Sequence, residues 1–208
     1  CIRDRGFLLV DSGATYMDGT TDITRTYPLG PLSEDEKRFY TWTLQSHIDL
    51  AKAVWLDYCE CKMIDTIARE PLWRHLINYR CGTGHSVSFV GNVHEGPHAL
   101  NSRNTTRMRP GMVVTDEPGV YETDLVGIRI ENELVCVHKA DNQYGTFLGF
   151  EPLMFVPIAT SPILPGVLDK DEIAWLNDYH RQVFAKLAPH LNDEERSWLA
   201  EKCAAIGC

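Results

Sequence analysis

The sequence predicts an α+β domain. Three observations carry that reading. Short apolar runs bounded by turn residues recur through most of the chain, as strands do. Two longer stretches with apolar residues at helical spacing interrupt them, and a third region of helical character closes the chain. Strands and helices mix without a regular alternation and without an internal repeat, which favours α+β over a doubly wound α/β sheet. With 208 residues, the chain is long enough to bury a sizeable core.

The elements follow in order. Phe7 to Val10 is an apolar run ending at Asp11 and reads as a buried strand. Asp18-Gly19 is a turn signal, and Asp22 to Tyr27 reads as the returning strand. Ser33-Glu34-Asp35-Glu36 has the form of a capping box. A helix is expected from there to about Trp55, with Phe39, Trp42, Leu44, Ile48, Ala51 and Val54 on its apolar face. A second helix is expected from Lys62 to about Leu76, kinked or split at Pro71. Arg80 to Pro97 is rich in Gly and His, lacks a helical period, and reads as an active-site loop or a set of short strands. After the Pro110-Gly111 turn, Met112 to Thr115 is a short strand that runs into Asp116-Glu117-Pro118-Gly119. Val126 to Val137 reads as one long strand, and Phe150 to Ile158 as a further extended segment. Beyond Asp169 two helices are expected, divided near Pro189.

Composition removes several function classes. At 44% hydrophobic and 24% charged residues the chain reads as globular rather than disordered. A net charge of −9, without a long basic run, argues against nucleic acid and anionic membranes as partners. No apolar stretch approaches the roughly 20 residues of a membrane span. The seven cysteines fit neither a zinc-finger spacing nor a disulfide framework and read as reduced thiols of a cytoplasmic protein. Cys59 and Cys61 form a Cys-x-Cys pair, read as thiols beside a helix start in preference to a metal site. The chain opens Cys-Ile-Arg rather than with Met, and it is read as a piece of a longer protein.

Four carboxylates sit at or beside strand ends in apolar surroundings: Asp11, Asp22, Glu117 and Glu131. A carboxylate beside a buried strand is costly to desolvate unless a cation compensates it. Asp11 and Asp22 flank one tight turn, and Glu117 and Glu131 flank another, so two hairpins can bring all four together with a His from the Gly-rich loop. Divalent cations would offset the repulsion. Structural ion pairs are the competing reading, and spacing alone does not separate the two. An oxygen-dominated donor set with one imidazole suits Mn²⁺, with Co²⁺ or Zn²⁺ as alternatives.

Asp-Ser-Gly-Ala-x-Tyr (11–16), Gly-Thr-Thr-Asp-Ile-Thr-Arg-Thr (19–26), Gly-Thr-Gly-His (82–85), Asn-Val-His-Glu-Gly-Pro (92–97), Thr-Asp-Glu-Pro-Gly-x-Tyr (115–121) and Gly-Ile-Arg-Ile-Glu-Asn (127–132) resemble the pita-bread metallopeptidases, most closely the Xaa-Pro aminopeptidases of cytosolic type. Phe-Glu-Pro-Leu-x-x-Val-Pro-Ile (150–158) and Trp-Leu-Asn-x-Tyr-His (175–180) extend the likeness to the C-terminal part. The resemblance implies a pita-bread fold with C-terminal helices: a metallopeptidase domain over 1–160, its first half lying upstream, and a helical extension over 161–208 packed on it. It implies two divalent metal ions. Asp11 would hold one, Asp22 and Glu131 would bridge both, and His85 and Glu117 would complete the second. A metal-bridging hydroxide would attack the peptide bond ahead of proline. Glu117 would shuttle the proton, and His94 would hydrogen-bond the substrate carbonyl. Arg129 would brace the metal carboxylates from outside. His98 takes no role and reads as a surface loop histidine. The implied partners are peptides with proline at the second position, plus a second copy or an N-terminal part to cover the exposed sheet face.

Three departures from the family pattern bear on turnover. Cys81 stands where the family has a substrate-contacting His. Ser86-Val87-Ser88 replaces Gly-x-Gly after His85. A catalytic His expected upstream of Asp11 is not among residues 1–10. The alternative reading is therefore a catalytically impaired homologue that binds metal and holds peptides or proteins.

Overall fold

The computed structural model describes residues 4–207; Cys1 and Cys208, and the thiol reading at those two positions, lie outside the described residues. The chain opens with a hairpin of β1 (Phe7–Tyr16) and β2 (Gly19–Pro28), which pairs Gly13 with Asp22 and Asp11 with Thr24. On β2 the period of two sends Asp22, Thr24 and Thr26 inward, where all three are buried. β1 is a strand as expected but not a buried one: it is exposed along most of its length, with Leu8 and Val10 open to solvent.

Helix α1 (Glu34–Ala51) starts where expected. The Ser33 hydroxyl accepts from the Glu36 amide, and the Glu36 carboxylate accepts from the Ser33 amide. Its end differs from the expectation. The helix stops at Ala51, and Val54–Leu56 forms strand β3, which pairs with a later strand at Trp55↔Leu148. The β-branched Val54 and the aromatic Trp55 suit a strand, and burying Trp55 against Phe150 (ring centroids 4.6 Å apart) decides the matter.

Helix α2 (Cys61–Trp73) is continuous through Pro71 and is not split there. Pro71 lies within the last turn, so only the short stretch beyond it must accommodate the missing amide, and its ring is buried. Cys61 opens this helix and is buried; among the described residues Cys59, Cys61, Cys81, Cys136 and Cys203 are all free thiols.

The remaining strands are β4 (Gly84–Ser86), β5 (Glu95–Leu100), β6 (Val113–Asp116), β7 (Gly119–Glu122), β8 (Val126–Arg129), β9 (Asn132–Asn142) and β10 (Gly145–Pro152). Six of the strands form an antiparallel sheet in the order β3-β10-β9-β6-β4-β5, while β7 and β8 form a separate hairpin. The expected long strand from Val126 to Val137 is thus two strands in different sheets. The chain crosses between them at Ile130 and Glu131, where the Glu131 amide donates to the Thr24 carbonyl (3.1 Å). The expected extended segment from Phe150 is regular only to Pro152.

Helix α3 (Lys170–Leu187), a short 3-10 turn at Ala188–His190 and helix α4 (Asp193–Lys202) close the chain. The core has two main parts. One packs the end of α1 and helix α2 onto the six-stranded sheet through Leu50, Ile64, Ala68, Val114, Leu134 and Cys136. The other packs α1 and α3 onto the β7–β8 side through Leu44, Ile48, Ile128, Ile130, Leu176 and Val183. Both helices of the first core lie behind the sheet, which leaves its opposite face free for polar side chains.

Candidate metal centre

The site forms on that opposite face, where β2, β4, the end of β6 and the β8–β9 crossing meet. Asp22, His85 and Glu131 each offer a ligand atom, and these atoms all lie within 4.8 Å of one another. His85 Nε2 is 3.4 Å from Asp22 Oδ2 and 3.2 Å from Glu117 Oε1. Glycine at 84 makes this approach feasible: a Cβ there would lie 1.8 Å from the Thr115 carbonyl oxygen.

Small donors orient each carboxylate. The Thr24 hydroxyl donates to Glu131 Oε2 (2.5 Å), and the Thr115 hydroxyl donates to Glu117 Oε1 (3.0 Å). Thr115 Oγ1 also accepts from the His85 amide (3.0 Å), tying β4 to β6. Arg129 spans the cluster. Its guanidinium pairs with Asp11 and takes the Tyr121 hydroxyl as a second partner (2.7 Å); its Nε is 2.9 Å from Thr24 Oγ1 and 3.9 Å from Glu131 Oε2. Asp11 is the outlying member: its side chain is half exposed and reaches the cluster through Arg129.

The charges strain against one another. Burial, together with the nearby charges of Glu117 and Asp22, pushes Glu131 up to about 8 against the opposing Thr24 hydrogen bond. Burial also raises Glu117, although His85 and Arg129 counter it. Desolvation works against charge on His85, yet hydrogen bonds to Asp22 and the Ser86 carbonyl and the charge of Glu117 raise its pKa overall. A cluster of carboxylates that holds its own protons up in this way is one that divalent cations would stabilise. The donor chemistry, carboxylates with one imidazole, fits Mn²⁺, Co²⁺ or Zn²⁺.

His94 is brought in as well, its ring centroid 3.9 Å from that of His85. Cys81 sits at the edge, its thiol 3.8 Å from the Gly119 carbonyl oxygen. Burial and the Glu117 charge raise its pKa, so it remains a neutral thiol. Ser86 and Ser88 are both buried and line a cavity of about 760 Å³ beside Thr21, Phe89 and Glu133. His98 corrects the sequence expectation. It lies on β5 rather than in a surface loop, is buried, and bonds the Val113 carbonyl through Nε2 (2.7 Å). Thr24, Thr115 and Tyr121 escaped the sequence reading. For Thr24 a signal was present, since it lies two residues from Asp22 on the same strand face.

Residues 2–138 match metallopeptidase family M24, and residues 146–206 match the C-terminal region of peptidase M24. The chain belongs to metallopeptidase family M24. Among M24 relatives it is 45% identical to aminopeptidase P2 of Arabidopsis thaliana over 198 residues, covering 92% of this chain and 28% of that protein. It is 42% identical to aminopeptidase P1 of Lotus japonicus, covering 96% of this chain and 31% of that protein. The chain thus spans about a third of the length of these curated relatives. Among solved M24 structures, the X-prolyl aminopeptidase of Caenorhabditis elegans, described as a cytosolic enzyme with a di-nuclear active site, superposes with a TM-score of 0.91 at 39% identity, over 96% of this chain and 34% of that one. Prolidase from Pyrococcus furiosus gives 0.62 at 29% identity, over 72% and 41%. The fold is the pita-bread fold of the M24 peptidases, α+β in class, with C-terminal helices. Among the described residues, no helix is long and apolar enough to cross a membrane.

Proposed function

We propose that this chain carries the metal centre of an Xaa-Pro aminopeptidase that removes the N-terminal residue ahead of proline. The convergence of Asp22, His85 and Glu131, with Glu117 against His85, is the observation that carries the proposal. Asp22, His85, Glu117 and Glu131 would hold two divalent cations, Mn²⁺ first among the candidates, with Asp11, now paired with Arg129, as the fifth ligand. When bound, the cations supply Lewis acidity, lowering the pKa of water and polarising a carbonyl.

The chain's own residues do the rest. Glu117 would accept a proton at its carboxylate and return it to the leaving amine, and burial raises its pKa in the direction that favours accepting it. His94, stacked edge-on against His85, donates to the substrate carbonyl oxygen. Arg129 holds Asp11 and stands beside Glu117 and Glu131, fixing the carboxylate geometry. Residues 1–160 form the peptidase domain, and residues 161–208 a helical extension on it. The exposed apolar residues of β1, Leu8 and Val10, offer the face on which a second copy or an N-terminal part of the protein packs. A cytoplasmic location agrees with the free thiols and with the cytosolic enzyme among the structural relatives.

The test is direct. Full-length protein loaded with Mn²⁺ should release the first residue from peptides with proline second and leave alanine-second peptides intact. No cleavage of either under metal-replete conditions would sink the proposal. Cys81 supports a second reading, a metal-binding homologue that holds peptides without cutting them, because a neutral thiol cannot replace a charged imidazole donor. Cys81→His separates the two: a gain in cleavage favours the impaired homologue, and robust activity before and after favours the enzyme.

A further inference from the structure

Beside the candidate metal centre lies a buried polar chain that the catalytic proposal does not use. Arg25 is buried, and every hydrogen bond it donates goes to a neutral oxygen. Its Nη1 donates to the backbone carbonyls of Thr24 and Glu131. Its Nη2 donates to Asn132 Oδ1 (2.8 Å), the Val156 carbonyl (2.7 Å) and the Tyr179 hydroxyl (2.9 Å). The Asn132 amide nitrogen donates to His47 Nε2 (3.3 Å), which leaves the His47 proton on Nδ1, 3.2 Å from the Asp116 carbonyl oxygen and 3.1 Å from the Asp116 carboxylate Oδ2.

The two ends of this chain are the Glu131 carbonyl and the Asp116 carbonyl, and the latter belongs to the peptide bond that leads into Glu117. The backbones of two carboxylate ligands are therefore held by one network. Its anchor is Tyr179 on α3, whose hydroxyl accepts from Arg25 and from the Val156 amide (3.2 Å). Trp175 stacks flat on the Tyr179 ring (5.4 Å, 3°) and meets His47 edge-on (5.9 Å), so the helix contacts the network at two points.

We propose that Tyr179 is a positioning residue for the metal centre. Through Arg25, Asn132 and His47, the C-terminal helix α3 sets the spacing of Glu131 and Glu117. The inference rests on the metal-binding reading above. The five N–H groups of Arg25 share six neutral acceptors, and Tyr179 also donates to Asn132 Oδ1 (3.2 Å), so the hydroxyl fixes where Nη2 and Asn132 settle rather than whether they are satisfied. Removing the Tyr179 hydroxyl frees Arg25 to shift, and the Glu131 carbonyl moves with it. Loss of outer partners of this kind weakens metal binding by roughly 10–100-fold.

The test compares Tyr179→Phe with Asn177→Ala in the full-length protein. Asn177 ties the C-terminal segment to α3 through Ile206 but does not touch the network, so it reports helix destabilisation alone. Two quantities are measured: Mn²⁺ affinity by calorimetry, and exchange of the Glu131 amide in metal-free protein. Tyr179→Phe should weaken Mn²⁺ binding by at least about tenfold and speed exchange at Glu131, while Asn177→Ala should change neither beyond its effect on global stability. Unchanged affinity and unchanged Glu131 exchange in Tyr179→Phe would overturn the proposal, as would equal effects of the two variants. If the unmutated chain binds no Mn²⁺, the functional reading fails, and the exchange measurement still decides whether Tyr179 positions Glu131.

Discussion

Asp22 and Glu131 occupy the centre of the cluster, each within reach of His85 or of the other carboxylates. If both bridge the two cations, neither ion can keep its site when one bridge is cut. Asp22→Ala and Glu131→Ala should each reduce bound metal from two ions to none, read by elemental analysis after gel filtration; retention of two ions in either variant would contradict the assignment. His180 makes a separate prediction at this scale. Its Nε2 accepts from the Ile158 amide (3.1 Å), which requires a neutral ring; burial, then the nearby Arg25 charge, lowers its pKa from 6.5 to about 4. The unfolded chain therefore binds a proton between pH 6.5 and 4 that the folded chain refuses, so stability is full above pH 6.5 and falls as pH drops toward 4. The loss is on the order of 3 kcal/mol at 1.36 kcal/mol per pKa unit. His180→Gln keeps an acceptor but cannot titrate. Denaturant melts at pH 7 and pH 5 should show the unmutated chain losing stability relative to this variant at the lower pH, and a constant difference would refute the account.

At the scale of elements, the site depends on strands brought closer than side chains normally allow. β4 carries His85 and runs against β6, with Gly84 beneath the Thr115 carbonyl. Gly84→Ala puts a methyl group where that oxygen sits, so β4 and β6 must separate. The expected cost is about 3 kcal/mol or more, and His85 should move away from Glu117. Thermal unfolding together with Mn²⁺ titration checks both parts; a stable variant with intact metal affinity would show that the strands can give. The same scale explains why the end of α1 and the long strand were misjudged. Val54 continues the apolar spacing of the helix, yet Trp55 gains more by packing on Phe150 across β3 and β10. Val126, Ile128, Ile130, Leu134 and Cys136 keep one period-two phase across Arg129, Glu131, Asn132 and Glu133, and that phase contains no mark for a change of sheet at Ile130.

Across the whole molecule, the proposed ligands come from segments far apart in the chain: the β1–β2 hairpin, β4, the residue after β6 and the β8–β9 crossing. Cations that bridge them would cross-link the folded state and have no equivalent site in the unfolded chain. At free Mn²⁺ about a hundredfold above its dissociation constant, the folded state should gain roughly 2.7 kcal/mol. Melting curves with Mn²⁺ and with a chelator should therefore separate, with the chelated protein less stable. Coincident curves would mean that the cluster is held by protein ion pairs alone.

The four carboxylates stand out in the sequence by their local setting at or beside strand ends in apolar surroundings, whereas His85 and the grouping of all five come from the resemblance to the pita-bread metallopeptidases. Such settings are legible because desolvation makes a charge at these positions costly without compensation. The hairpin of Asp11 and Asp22, and the capping box of α1, are similarly local and were read correctly. The division of one apolar run between two sheets, the burial of His98, and the network from Tyr179 to Glu131 and Asp116 were not legible. Each depends on partners distant in the chain, such as Arg25 and Tyr179, 154 residues apart. Charge and apolarity belong to a residue and its neighbours, so the sequence carries them. The distances that turn Asp22, His85 and Glu131 into a single cluster arise only when the packed sheet brings β2, β4 and the β8–β9 crossing together.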